Sequence, residues 1–337
     1  MKKQNEKSKN ITILAILYAL AAALFYALNV PCSKLLLEYV SPTMMAAFLY
    51  LGAGLGVGLM YLFHLPKEQK TERLNKKDLP YTIGMVLLDI IAPILLMIGV
   101  NIGSSSNATL LGNFEIVATT VIALLIFKES VSRRLWIAIA FITLSSIILT
   151  FGGEGSFDFS FGSVFVLGAT VCWGFENNCT RKISEKSTYQ IVTIKGLCSG
   201  TGSMIIALVI GERFSQIQYI ALALLLGFVA YGLSIFTYIR AQKTLGAAKT
   251  SAYYAVAPFI GAFLSFILLN ESLTVSYLIA LAVMIVGTGF AVYDTLIRKH
   301  THEHTHTYTQ DGITYTVTHS HSHQHVLGRE KHDHKHF

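Results

Sequence analysis

The 337-residue chain is 53% hydrophobic and only 13% charged, with a mean hydropathy of +0.54. Soluble domains carry about a quarter charged residues, so this composition excludes a single water-soluble core. The net charge of +7 does not point to nucleic acid either, because the bases sit in short connections between apolar blocks and form no stripe along a helix face.

In chain order, residues 1–10 form a basic N-terminus. The apolar run behind it is of full spanning length and has no small-residue cleavage signal, so a retained first helix is expected and not a signal peptide. Ten apolar segments follow, at 11–30, 44–63, 81–100, 108–127, 135–152, 161–177, 191–210, 217–238, 252–269 and 277–292. Each approaches the roughly 20 residues that cross a bilayer core, which predicts an all-α membrane protein with ten transmembrane helices. Cys32, Cys172, Cys179 and Cys198 lie in or beside these segments, and they read as buried thiols and not as a secreted disulfide framework.

The connections set the expected orientation. The N-terminus and the even-numbered connections, with the start of the C-terminal tail, hold 20 Lys and Arg, and the odd-numbered connections hold two, Lys34 and Arg213. Positive residues are retained on the inner side, so a multi-pass plasma-membrane protein with both termini cytoplasmic is predicted.

Two internal matches divide the spans into halves. Leu124-Leu125-Ile126-Phe127-Lys128-Glu129-Ser130 lies over Phe266-Ile267-Leu268-Leu269-Asn270-Glu271-Ser272 at an offset of 142. Tyr26-Ala27-Leu28-Asn29-Val30-Pro31-Cys32-Ser33-Lys34 lies over Trp173-Gly174-Phe175-Glu176-Asn177-Asn178-Cys179-Thr180-Arg181 at an offset of 147. Five spans per copy make the copies inverted, as in secondary transporters with a midplane site. The expected organisation is a cytoplasmic N-terminus (1–10), two five-helix repeats (11–152 and 153–293) and a His-rich cytoplasmic tail (294–337).

These paired span ends, together with the aromatic-small pairs Tyr26-Ala27 and Trp173-Gly174, resemble the ten-helix EamA-type members of the drug/metabolite transporter superfamily. The resemblance covers residues 11–293 and implies a proton- or gradient-driven carrier or exporter of small metabolites. One departure is that the proline often found in mid-span is kept at Pro258 and replaced by Ile116 at the matching position.

Charged groups at mid-bilayer cost about 2.5–3.5 kcal/mol on insertion scales, so those retained mark function by default. Glu115, with Ala257 as its repeat mate, breaks the symmetry as a proton or substrate group would; the structural alternative is a fixed pair with Lys195. Asp89 precedes Pro93 by four residues, so the proline frees the Asp89 carbonyl and a kinked, polar half-span is expected. Glu176 and its mate Asn29 read as cavity contacts, and Tyr26 and Trp173 as stacking platforms for a planar or cationic substrate or as packing. Cys172, Glu176 and Cys179 share a helix face, but one helix offers a metal too few ligands. The glycines of Gly52-Ala53-Gly54-Leu55-Gly56-Val57-Gly58 let helices approach closely in lipid, mainly within one chain, and leave monomer or homodimer open.

Eleven of the 12 histidines lie at or after His300. Asp311-Gly312 is a type I′ hairpin signal between Thr- and Tyr-rich flanks. Folding there opposes Tyr308 with Tyr315, His304 with His319, His302 with His321 and His300 with His323. These six histidines are candidate ligands for zinc, nickel or copper; the alternative is a solvated tail with incidental metal affinity.

The chain is therefore expected to be a secondary active transporter, an exporter or exchanger of a small organic metabolite, proton-coupled through an intramembrane carboxylate and requiring no cofactor. The rival is a divalent-metal transporter fed or regulated by the tail, weakened because no span carries clustered Asp and His. Neither an HExxH pair nor a GxSxG turn occurs, so no enzyme is expected.

Overall fold

A computed structural model describes residues 2–65, 68, 73–127, 131–151, 160–245, 250, 253–310 and 313–326, with the backbone alone for 2–10, 127, 242–243, 295–310 and 313–326. Apolar runs of this length can satisfy their backbone inside lipid only as helices or closed barrels. Here they are helices: α1 (Lys2–Ala27), α2 (Asn29–Leu36), α3 (Pro42–His64), α4 (Leu79–Ile102), α5 (Ser105–Leu111), α6 (Phe114–Phe127) and α7 (Arg133–Phe151). The second half contributes α8 (Phe161–Ile183), α9 (Thr188–Val209), α10 (Ile217–Gly227), α11 (Ser234–Leu245), α12 (Ala257–Leu269) and α13 (Val275–Leu296).

Eight helical stretches are long and apolar enough to cross a membrane: Ile11–Leu36, Pro42–His64, Lys76–Ile102, Ser105–Ile126, Arg133–Phe151, Thr188–Val209, Ile217–Ala241 and Val275–Asp294. The count of ten is therefore not reached on length and apolarity. The expected sixth span is present as the 23-residue α8, but its Glu176-Asn177-Asn178 run dilutes its apolar character. The expected ninth survives as the shorter apolar helix Ala257–Leu269. Outward-facing Leu17, Leu59, Leu125, Ile205 and Val275 are all more than half exposed, an apolar exterior that suits lipid and not water.

Local signals set the helix ends. The side chains of Ser104, Ser160 and Ser187 accept from the backbone N–H groups of Asn107, Ser163 and Gln190, capping α5, α8 and α9. Pro42 opens α3, where its missing N–H costs nothing. Asn270, at φ 50°, closes α12 in the left-handed region.

The halves pack with a pairing that respects the repeat. The second span, α3, packs on its mate α9, and the fifth, α7, on its mate α13. The contact of α4 with α8 is mirrored by that of α11 with α1, and the contact of α6 with α8 by that of α12 with α1. Glycines make the α3 contacts close. A Cβ on Gly54 would lie 2.5 Å from the Leu197 nitrogen, and one on Gly52 would lie 2.0 Å from the Leu224 carbonyl oxygen. The glycine-rich run of α3 thus serves packing within the chain.

Helices break in the interior, but not at the predicted position. α4 runs unbroken through Pro93, so the expected half-span at Asp89 is absent; neighbouring helices in a packed bundle tolerate a proline by supporting the backbone around it. The fourth span breaks at residues 112–113 and the ninth at 255–256, one residue apart from strict equivalence at the offset of 142. The first span breaks at Leu28, and residues Phe228–Leu233 of the eighth form a π-helical segment, a feature frequent at functional sites.

After α13, β1 (Ile297–Gln310) and β2 (Ile313–Val326) pair antiparallel, with His300 opposite His323, His302 opposite His321 and His304 opposite His319. The expected Asp311-Gly312 turn lies outside the described residues.

Candidate functional site

The seven predicted site residues gather where α1, α2, α4, α6, α8 and α9 meet. At the centre is Lys195 on α9, whose ammonium lies 3.1 Å from Asp89 of α4 and 3.0 Å from Glu176 of α8. The two carboxylate side chains are 0% and 3% exposed and the lysine 12%. A buried charge persists only with partners, and this lysine faces two carboxylates. Asp89 also accepts a 2.9 Å hydrogen bond at Oδ1 from the Tyr50 hydroxyl. Its Oδ2 meets the lysine off the hydrogen-bond direction, as an ion pair alone. Thr180, one turn beyond Glu176, donates to that carboxylate.

The alternative pairing of Glu115 with Lys195 is not what forms. Glu115 occupies the first turn of α6, just past the break at 112–113, where the helix dipole favours negative charge. Its Oε1 accepts a 2.6 Å hydrogen bond from Asn177 of α8. No Lys or Arg among the described residues lies within ion-pair distance of it. Asn177 also reaches the Thr119 hydroxyl at 3.3 Å, so α6 and α8 share a polar seam. Beside that seam Gly174 permits close approach, since a Cβ there would fall 2.8 Å from that of Ala118.

A tyrosine-lined wall joins these groups. Asn29, fully buried at the start of α2, donates to the Tyr231 hydroxyl at 2.9 Å. Tyr231, in the π-helical segment, packs its ring 5.1 Å from that of Tyr50 and 6.0 Å from that of Tyr26. Tyr26 also meets Tyr254 at 5.8 Å. Trp173 is buried on α8. Tyr50, Tyr231 and Tyr254 were not singled out from the sequence, because a tyrosine in an apolar span reads as packing. Asn177 had a visible signal, the polar run Glu176-Asn177-Asn178.

The ends of the bundle are held by carboxylates and a lysine on helix termini. Glu271 accepts from the backbone N–H groups of Ser105 at 2.7 Å and Ser106 at 2.9 Å and from the Ser104 hydroxyl at 2.8 Å. This ties the connection after α12 to the start of α5. Lys34 donates to the carbonyls of Val100, Asn101 and Gly103 at the end of α4. Glu212 accepts from the backbone N–H groups of Thr43 and Met44. Glu129, the repeat mate of Glu271, lies outside the described residues. At the other end Glu68 joins the α3–α4 connection to α9. Burial alone would raise its carboxyl, but the hydroxyls of Ser187 and Tyr61 and the Arg73 guanidinium outweigh that and hold it below the usual carboxylate range.

The four cysteines are free thiols. Among the residues whose side chains are described, no group of three or more His, Cys, Asp or Glu could hold a metal ion. His64 instead stacks on Tyr189 at 4.5 Å.

A repeated helical bundle with an apolar exterior and a buried, partly compensated charge cluster between its halves defines a multi-pass membrane protein of the transporter class. The pattern of the EamA-like transporter family matches twice, at residues 13–151 and 160–293, and the chain belongs to that family. It is 24% identical over 290 residues to an uncharacterized transporter of Methanothermobacter thermautotrophicus, covering 80% of this chain and 83% of that protein. It is 21% identical over 268 residues to the uncharacterized transporter YyaM of Bacillus subtilis, covering 77% of this chain and 86% of that protein. A solved crystal structure at 14% identity superposes with a TM-score of 0.60 over 82% of this chain and 95% of that one, a likeness of fold alone.

Proposed function

We propose that the chain is a secondary active carrier that exports or exchanges a small organic metabolite, with proton coupling at Glu115. In this reading α8 and α12 complete ten spans, the repeats are inverted, and both termini lie on the Lys- and Arg-rich cytoplasmic side. The observation that carries the reading is the charge balance of the buried cluster: three carboxylates, Asp89, Glu115 and Glu176, gather around one lysine, and the lysine is committed to two of them. Glu115 is left with an amide for a partner. A carboxylate in that position is neutralised either by a proton or by a cationic group of the solute, and two exclusive occupants of one site are what exchange requires. The tyrosines around Asn29 and Trp173 offer ring faces and hydroxyls to an organic solute and few ligands to a metal. The divalent-metal reading rests on the tail alone.

The test uses proteoliposomes loaded with a pH-reporting dye and challenged with amino acids, nucleosides, sugars and organic amines. At least one compound moves protons through the wild-type protein. Glu115→Gln, isosteric but unable to ionise, abolishes that movement while the protein still purifies as a monodisperse peak. Unchanged proton movement in the variant removes Glu115 from the coupling role.

A further inference from the structure

We infer that the paired strands β1 and β2 form a divalent-metal site of imidazole ligands at the C-terminal end of the bundle, independent of the transport site. Three consecutive same-face pairs of the ribbon are His–His: His300 with His323, His302 with His321 and His304 with His319. Residues two apart along a strand share a face, so the six histidines occupy one face in two columns. The ladder is bounded by mixed pairs, Arg298 with His325 at one end and His306 with Val317 at the other. The intervening pairs, Thr301 with Ser322 and Glu303 with Ser320, hold the opposite face.

The spacing suits a borderline cation. Opposed Cβ atoms in an antiparallel ribbon are about 4.5–5.5 Å apart, and same-face neighbours along a strand about 7 Å apart. Two successive pairs therefore bring four histidine positions together on one face, the number of ligands a tetrahedral zinc site takes. The histidine-only ligand set excludes calcium and magnesium, which take oxygen ligands, and fits zinc, nickel or copper(II). An isolated two-stranded ribbon is marginal in water. Ion binding supplies the missing stability, since free energy of binding to a site assembled by folding is free energy of folding.

A histidine-rich tract of any arrangement has some metal affinity, so the experiment varies register at constant composition. The full chain in lipid nanodiscs is titrated with Zn²⁺ against a chromogenic chelator. The permutation T318H/H319T/S320H/H321S/S322H/H323S moves the three ladder histidines of β2 to the other face and leaves those of β1 in place. The companion permutation H300T/T301H/H302E/E303H/H304T/T305H, added to the first, brings the two sets opposite each other again. The wild type is expected to hold zinc at least tenfold more tightly than the single permutation, with affinity recovered in the double permutation. Equal affinity in all three proteins overturns the ladder and leaves a tract that binds by composition alone. Failure of the double permutation to recover also overturns it.

Discussion

Lys195 is the residue whose role changed most between sequence and structure. In the sequence it is a lone base inside a span and an available partner for Glu115. In the structure it bridges Asp89 and Glu176, and Glu115 turns to Asn177. Removing one member of a buried ionic group leaves uncompensated charge and costs about 3–5 kcal/mol. Lys195→Met, which keeps the stem and removes the ammonium, strands two carboxylates. It is expected to lower stability by about that amount, read as earlier thermal loss of the monodisperse peak in size-exclusion chromatography. Adding Asp89→Asn to this variant should recover part of the loss, because it removes one stranded charge. A Lys195→Met protein as heat-stable as the wild type would mean that the cluster carries no net ionic stabilisation.

At the scale of elements, glycine decides which helices touch. Lipid provides no hydrophobic drive for helix association, so close backbone approach must supply the packing energy. Along α3 the glycines face α9 and, in the eighth span, Leu224 of α10 and Phe228 of the π-helical segment, and α9 answers with Gly196 and Gly200, whose own Cβ positions would strike α3 backbone. Gly54→Leu should therefore force α3 and α9 apart and sharply reduce the yield of monodisperse protein. Gly289→Ala, at a position with nothing within 4 Å, should leave the yield unchanged. Comparable losses in both variants would show that glycine helps through backbone flexibility and not through close approach. The breaks belong to the same scale. They fall within one residue of equivalent positions in the fourth and ninth spans, and one of them delivers Glu115 at the head of a half-helix. Discontinuous helices of this kind place backbone and polar groups at the midplane of transporters.

For the whole molecule, the family match in two copies and the mirrored helix contacts describe one architecture. With the native cysteines replaced, Ser215→Cys, in the connection that holds Arg213, is expected to react with a membrane-impermeant maleimide on intact cells. Lys186→Cys, in a basic connection, is expected to react only after permeabilisation. The reverse pattern would invert the proposed topology and place the histidine ladder outside the cell.

The bundle was legible in the sequence because bilayer thickness imposes a length on every span, and because duplicated segments keep recognisable ends at Glu129-Ser130 and Glu271-Ser272. The charged members of the buried cluster, Asp89, Glu115, Glu176 and Lys195, were legible because a charge inside a twenty-residue apolar run is costly and stands out. The pairing within the site was not, since Lys195, Asp89, Glu176 and Glu115 lie on four helices and their partners depend on the crossing of α4, α8 and α9. Proline misled at Pro93, where α4 continues without a break, while the actual breaks lack a shared sequence mark: Gly112-Asn113 in one repeat, Ala255-Val256 in the other. Sequence alone thus determined the class, the repeat and the candidate polar residues, which follow from local composition and spacing. Tertiary structure decided which carboxylate is compensated and which is left to an amide, because that choice is made by contacts between spans far apart in the chain.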